Sequence, residues 1–219
     1  MAATKRTALE EWKAHWPLVV SGMIGFSFFT VVTYALGTFT EPMEKEFGWS
    51  RAQIYLGLTI FGFVQMAGGP PMGALLDRIG TRRMAITGLI TSGITFAGFS
   101  LADGTTAQWI GLWLAFSLCA LMIKSTVWSA GTSSVFSTSR GLALAAVLTG
   151  SAIGQALSPI IANWLIESYG WRGAFRWLGF GSGGGFGTFC HRYRNAWLNR
   201  LSFNGLWHDR LASYLRKSE

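Results

Sequence analysis

Long apolar segments separated by short polar loops constrain this chain of 219 residues more than any other feature. Half of the residues are hydrophobic and only 13% are charged, whereas a soluble domain of this size carries about 25% charged residues. A run of about 20 apolar residues crosses a bilayer as a helix, because a helix satisfies its backbone polar groups without water. The sequence therefore predicts an all-α integral membrane protein that crosses the lipid bilayer several times.

The predicted membrane spans comprise five clear helices and a weaker sixth, at residues 17–39, 52–76, 84–102, 107–133, 142–166 and 173–190. They divide the chain into a polar tail at 1–16, a transmembrane bundle at 17–190 and a basic tail at 191–219. Lysine and arginine gather in both tails and in the loop after the second span, and such basic segments stay on the cytoplasmic side. We therefore expect a multi-pass protein of a bacterial inner membrane with its N-terminus in the cytoplasm.

The charge pattern and the residue pairings exclude several classes of protein. The net charge of +8 lies in loops between apolar segments and in the basic tail, which argues against a nucleic-acid partner. Cys119 and Cys190 stand far apart and have no histidine or cysteine at the spacing of metal ligands. The sequence contains no nucleophile–base pair, no paired carboxylates within a span and no phosphate-binding loop. We therefore expect no metal, no cofactor and no enzymatic activity.

A loop motif follows the second span, with the sequence Gly73-Ala-Leu-Leu-Asp77-Arg78-Ile-Gly80-Thr-Arg82-Arg83. Gly73 would let this end of the helix pack closely against a neighbour, and Gly80 can adopt the positive φ of a tight turn. Asp77 is a carboxylate at the membrane edge and needs a partner. An ordinary cytoplasmic loop explains the arginines but leaves the spacing of the glycines and the acid unexplained.

This loop resembles the signature that the major facilitator superfamily carries between helices 2 and 3, G-x-x-x-D-[RK]-x-G-x-[RK]-[RK], and it matches at every defined position. The resemblance implies the N-terminal six-helix bundle of the major facilitator fold, which six further helices follow in that family. It also implies that Asp77 caps a helix of the other half and latches one closed state, with Arg78 and Arg82 in the surrounding charge network. A carboxylate is favoured at a helix N-terminus, so this role suits the chemistry of Asp77.

Small residues form a stripe along the fifth span, where they permit close contact between helix backbones. They are Ala146, Gly150, Gly154 and Ser158, with Pro159 next in the chain. The stripe is similar to, but looser than, the glycine and proline pattern of the superfamily's fifth helix. Residues 46–51 and 169–172 resemble the branch that contains monocarboxylate and oxalate/formate carriers, and the resemblance as a whole covers about residues 16–180.

Lys124 lies inside the fourth span, with apolar or small residues on both sides. Charge inside a membrane is costly and faces a bundle interior or an aqueous cavity. Helical spacing puts Trp128 on the same face, and the resemblance places helices 1 and 4 along a central path, where helix 1 offers Thr30 and Tyr34. One hypothesis is that these four residues bind a small anionic substrate such as a carboxylate. The alternative is a lysine that snorkels from a shorter fourth helix.

The last forty residues depart from the superfamily pattern, because a glycine-rich stretch at 181–187 interrupts the sixth span and a basic tail follows. Each glycine weakens a helix by up to about 1 kcal/mol relative to alanine. Two interpretations stay open: an N-terminal half left by truncation or a frame shift after about residue 180, or a half-unit that associates with itself.

The sequence as a whole predicts a secondary transporter of a small solute, represented by its N-terminal half and acting by alternating access. The expected partners are the lipid bilayer, a small substrate that includes the carboxylates, a coupling proton or ion, and a second half of the bundle. The alternative is a membrane protein that transports nothing.

Overall fold

A computed structural model describes residues 8–192, apart from the side chains of residues 14, 82 and 182–192. The described residues form six α-helices, two 3-10 turns and no strand, which confirms the all-α prediction. The helices are α1 (Ala8–Phe47), α2 (Arg51–Ile79), α3 (Thr81–Gly98), α4 (Thr106–Ala120), α5 (Ser125–Val135) and α6 (Arg140–Arg192). Almost all of the predicted basic tail at 191–219 and the first seven residues of the polar tail lie outside the described residues.

The helix α6 contains the predicted fifth and sixth spans. Gly170 interrupts it with φ 70° and ψ 167°, a conformation that glycine adopts readily. The residues before and after Gly170 therefore form two helices that run in different directions, here called the first part (140–169) and the second part (171–192) of α6. The second part continues as a helix through the glycine-rich stretch to Arg192.

Four helical stretches of the described chain are long and apolar enough to cross a membrane. They are His15–Phe47, Arg83–Leu101, Thr106–Val135 and Arg140–Gly181. The helix α2 is 29 residues long, but its glycines, Gln65, Pro70 and Pro71 lower its mean hydropathy, and it is not among these four. The protein is therefore an integral membrane protein with several passes.

Tight turns reverse the chain at both ends of the bundle. The turn between α2 and α3 consists of Gly80 alone, which has φ 87°.

The helix α2 begins with a capping box, in which the Ser50 hydroxyl accepts from the Gln53 N–H and the Gln53 amide oxygen accepts from the Ser50 N–H. The first end of the bundle carries the start of α1, the α2–α3 turn and residues 136–139, and the second end carries residues 48–50, 102–105 and Gly170.

An aromatic core fills the half of the bundle near the second end. Phe39 stacks on Phe175 with ring centroids 4.0 Å apart, and Phe99 lies 5.5 Å from the same ring. Trp109 and Trp113 are almost completely buried beside them. Aromatic pairs of this kind add about 0.5–1.5 kcal/mol each beyond their buried area, so this half holds α1, α3, α4 and the second part of α6 together.

Candidate functional site

Lys124 marks a break in the fourth membrane span. Residues Leu121–Ile123 form a 3-10 turn, Lys124 takes an extended conformation with φ −60° and ψ 157°, and α5 begins at Ser125. The predicted continuous helix at 107–133 is therefore wrong at this residue. Because the chain is extended at Lys124, the first N–H groups of α5 lack the preceding helical carbonyls that would otherwise accept from them.

Contacts from two other helices and from α5 itself stabilise this break. The indole N–H of Trp128 donates to the Ile123 carbonyl at 3.0 Å, and this carbonyl is one that the break removes from the helical ladder. Residues 122 and 123 press against α3 at Gly88, where a Cβ would lie 2.6 Å from the Met122 Cβ. Trp128 in turn packs against Gly25 of α1, where a Cβ would lie 2.2 Å from the indole ring.

The Lys124 ammonium binds helix α2 about midway along that helix. Its Nζ donates to the Gln65 backbone carbonyl at 3.0 Å, and the side chain is partly exposed. Pro70 and Pro71 follow in α2, and a proline has no N–H to give to the carbonyl four residues earlier. The prolines thus free the carbonyls of residues 66 and 67, next to the Gln65 carbonyl that Lys124 binds.

Gln65 links α2 to α4 at the same level. Its side chain is only 7% exposed, and its Nε2 donates to the Ser117 carbonyl at 3.3 Å. Its Oε1 is buried without a hydrogen-bond partner among the described residues. A buried polar atom in that state costs about 1–3 kcal/mol, so the α2–α4 contact beside Lys124 is polar and incompletely satisfied.

The structure does not bring the four predicted binding residues into one pocket. Thr30 is buried, and its hydroxyl donates to the carbonyls of Ser27 and Ser151. Trp128 is buried between α1 and the helix break. Tyr34 is half-exposed on α1. Lys124 and Tyr34 are thus the members of the set whose side chains reach an accessible surface, whereas Thr30 and Trp128 hold helices in place.

The loop motif at 73–83 lies at the first end of the bundle. Asp77 and Arg78 are exposed, and within the described part of the chain Asp77 makes no hydrogen bond or ion pair. A Cβ on Gly73 would meet no described atom within 4 Å, so the close contact expected there involves no residue of the described chain. Arg83 is exposed at the start of α3, and the side chain of Arg82 lies outside the described residues.

The small-residue stripe of α6 packs directly on α1. A Cβ on Gly150 would lie 2.3 Å from the Met23 carbonyl oxygen, and a Cβ on Gly154 would lie 2.8 Å from the Thr30 hydroxyl. The Ser158 hydroxyl donates to the Val31 carbonyl at 2.9 Å. Ala146, the first member of the stripe, and Pro159, which follows it, are partly buried. The backbones of α1 and α6 are therefore in contact along most of the interface between these helices, as in helix pairs with small residues at the contact.

Replacement of Gly150 by alanine is expected to destabilise the protein by about 1–3 kcal/mol, because the new methyl group overlaps the Met23 carbonyl. Gly141 of the same helix is the matched control, since a Cβ there meets nothing within 4 Å and alanine is the better helix former. Thermal unfolding in detergent micelles measures both variants. If the G150A protein is at least as stable as the G141A protein, the close contact of α1 and α6 at Gly150 is contradicted.

Two carboxylates of α1 fasten it to α6 at opposite ends. At the second end, Glu46 accepts from the Trp171 indole N–H at 2.6 Å and from the Arg172 guanidinium. At the first end, Glu11 accepts from the Ser137 hydroxyl and from the N–H groups of residues 137–139. These hydrogen bonds, that of the Ser137 hydroxyl above all, lower the pKa of Glu11 to about 2. Sequence reasoning missed Glu11, although the run of serine and threonine before α6 is typical of a helix start.

The described residues hold no group of three or more histidine, cysteine or acidic side chains that could bind a metal ion. The groups at the Lys124 break offer electrostatic and hydrogen-bonding chemistry. A partly exposed ammonium and the N-terminus of α5 meet at the break, and both favour negative charge.

Comparison with known proteins gives one family and several relatives. The family model "Major Facilitator Superfamily" matches residues 21–193. Monocarboxylate transporter 6 of Mus musculus is 28% identical over 176 residues, which are 77% of this chain and 36% of that protein. Monocarboxylate transporter 2 of Rattus norvegicus is 30% identical over 171 residues, 75% of this chain and 33% of that protein.

A riboflavin transporter, RibJ of Trypanosoma cruzi (strain CL Brener), is 31% identical over 147 residues, which are 63% of this chain and 30% of that protein. The chain thus spans about a third of the length of the curated relatives it matches. The names of these relatives are those of transporters and not of enzymes.

Proposed function

Because this chain belongs to the major facilitator superfamily, we propose that it forms the N-terminal half of a secondary transporter that carries a small organic anion by alternating access. Secondary transporters bind their solute near the middle of the membrane, between two helical halves. The solute class that the site suits best is a short carboxylate, with a proton or another ion as the coupling species. In this proposal the first end of the bundle faces the cytoplasm of a bacterial cell.

The position of Lys124 at the helix break is the observation that carries the proposal. A charged residue at membrane depth marks a functional site by default, and an extended residue within a span is typical of transporter binding sites. The ammonium and the positive end of α5 together attract one negative group. Tyr34, which is half-exposed on α1, is the proposed second contact, and Thr30 and Trp128 support the walls of the site.

The position of Lys124 along the apolar stretch and its contact with α2 favour a binding residue over a snorkelling lysine. The membrane span runs on from Lys124 to Val135, which at 1.5 Å per residue places Lys124 about 16 Å from that end. The hydrogen bond of the Lys124 ammonium to the Gln65 carbonyl satisfies one of its three donors and leaves capacity for a solute.

A second helical half is the proposed partner. Asp77 makes no ion pair within the described part of the chain, although a carboxylate at a membrane edge gains from the N-terminus of a helix. The relatives are about three times as long as the part that this chain matches. Both observations support a docking surface for further helices at the first end of the bundle.

Uptake into proteoliposomes tests the proposal. The chain completed with the second half of a monocarboxylate-transporter relative is expected to take up radiolabelled pyruvate and to exclude its neutral amide, because the site recognises negative charge. Equal uptake of the acid and the amide, or of neither, would contradict an anion carrier. Pyruvate uptake by the 219-residue chain alone, at the rate of the completed protein, would instead favour a half-unit that associates with itself.

A further inference from the structure

Glu11 is an almost completely buried acid near the start of α1, with 4% of its surface exposed. Its carboxylate accepts from the backbone N–H groups of Ser137 at 3.2 Å and of Thr138 and Ser139 at 3.1 Å. The hydroxyls of Ser137 and Ser139 also donate to it, at 2.7 and 3.1 Å. Both carboxylate oxygens are therefore saturated by one turn of a segment 126–128 residues further along the chain.

This turn is the beginning of α6. The Ser139 carbonyl accepts the first helical hydrogen bond, from the Ala143 N–H at 3.1 Å, so Ser139 is the residue that precedes the helix. Helices leave their first N–H groups unpaired, and a nearby acceptor, normally a side chain of the same turn, satisfies them. Of the three N–H groups that donate to Glu11, that of Ser139 belongs to the helix start, and those of Ser137 and Thr138 lie in the turn before it. Glu11 of α1 thus holds the turn that leads into α6, an arrangement here called the cap, and its negative charge is also favoured near a helix N-terminus.

The opposite end of the same helix pair is closed by Glu46, which accepts from Trp171 and Arg172 at the start of the second part of α6. Between the two acids, Gly150 and Gly154 bring the backbones of α1 and α6 into contact. Helix α1 is thus bound to α6 at both ends and along its length. The contact of Lys124 with α2 is by comparison a single hydrogen bond.

We propose that Glu11 is a positioning residue that holds the turn before α6 from α1 and keeps these two helices together as one rigid pair while the transporter changes state. The inference rests on the proposed function. Two acids at the first end then have opposite roles: Asp77 has no partner in the described chain and is free to engage and release a second half, whereas Glu11 is saturated and stays in place.

Electron-spin distance measurements on the 219-residue chain in liposomes test this role. Leu9 and Leu142, which are exposed near the starts of α1 and α6, carry the spin labels as cysteines, and the native cysteines are replaced by serine. In the parent we expect one narrow distribution of distances between the two labels. In Glu11→Gln we expect a broad distribution, because the N–H groups of the glutamine amide would face the N–H groups of residues 137–139. Glu41→Ala is the control, since Glu41 is exposed on α1 and pairs with Lys45 of the same helix.

Chemical rescue separates a cap from a general packing role. Glu11→Ala leaves the three N–H groups in place and makes room for a free carboxylate, so sodium formate is expected to restore the narrow distribution and sodium chloride at equal ionic strength is not. An unchanged distribution in both Glu11 variants, or equal effects of the two salts, would overturn the proposal. The distance measurement needs no transport. Failed pyruvate uptake together with a successful rescue by formate would therefore refute the anion carrier and still support the role of Glu11.

Discussion

Replacing Lys124 by glutamine is expected to lower pyruvate uptake by the completed transporter at least about tenfold. A hydrogen bond between charged groups contributes about 1.5–3 kcal/mol, which corresponds to about 10- to 100-fold in affinity. Glutamine keeps an N–H donor on a side chain one bond shorter, and the contacts of Trp128 and of residues 122 and 123 with their neighbours remain. We therefore expect the helix break to be retained and only the charge to be lost. Initial uptake rates at several pyruvate concentrations measure the effect, which we expect mainly as a weaker apparent affinity.

Lys45→Gln is the matched control for this substitution. Lys45 is exposed at the second end of α1 and pairs with Glu41 at 2.6 Å, and exposed pairs of this kind contribute about 0–1 kcal/mol. Its uptake should equal that of the parent. If the uptake curves of Lys124→Gln and Lys45→Gln coincide, Lys124 does not bind the substrate.

Asp77→Asn is the second substitution with a large expected effect, and its effect is confined to transport. Asp77 is exposed and makes no ion pair in the described chain, so the thermal stability of the 219-residue chain should not change. In the completed transporter the same substitution removes a carboxylate from the N-terminus of a partner helix, an interaction that contributes up to about 2 kcal/mol. The closed state should become less populated, and uptake should fall by about tenfold.

Glu167→Gln provides the comparison for Asp77→Asn. Glu167 is also an exposed acid, and it accepts from Asn163 of the same helix at 2.7 Å, so it needs no partner from outside. Its substitution should leave both stability and uptake unchanged. A loss of stability in Asp77→Asn before the second half is added would show that Asp77 acts within this chain and not as a latch.

The helices, the integral membrane character and the family were predictable from the sequence because each depends on local properties. Hydrophobic length predicts a span without knowledge of its neighbours. The loop motif depends on residues within eleven consecutive positions. Gly170, which divides α6, lies in a Gly-Trp-Arg loop whose position between two spans was also evident from the sequence.

The break at Lys124 was not predictable, because residues of three other helices produce it. The Gln65 carbonyl binds the ammonium, Gly88 admits residues 122 and 123, and Gly25 admits the indole of Trp128. None of these contacts follows from the spacing of apolar residues within 107–133. Glu11 escaped prediction for a similar reason, since it lies in a polar tail and its partners are more than 120 residues away.

Protection of Lys124 by substrate is the measurement that tests the central claim most directly. The completed transporter is treated with an amine-reactive acylating reagent, and mass spectrometry follows the modification of Lys124 and of the exposed Lys45 in the same sample. We predict that pyruvate slows the modification of Lys124 in a saturable way and leaves Lys45 unaffected, whereas the neutral amide protects neither. Equal modification rates at Lys124 with and without saturating pyruvate would contradict a carboxylate site at the helix break.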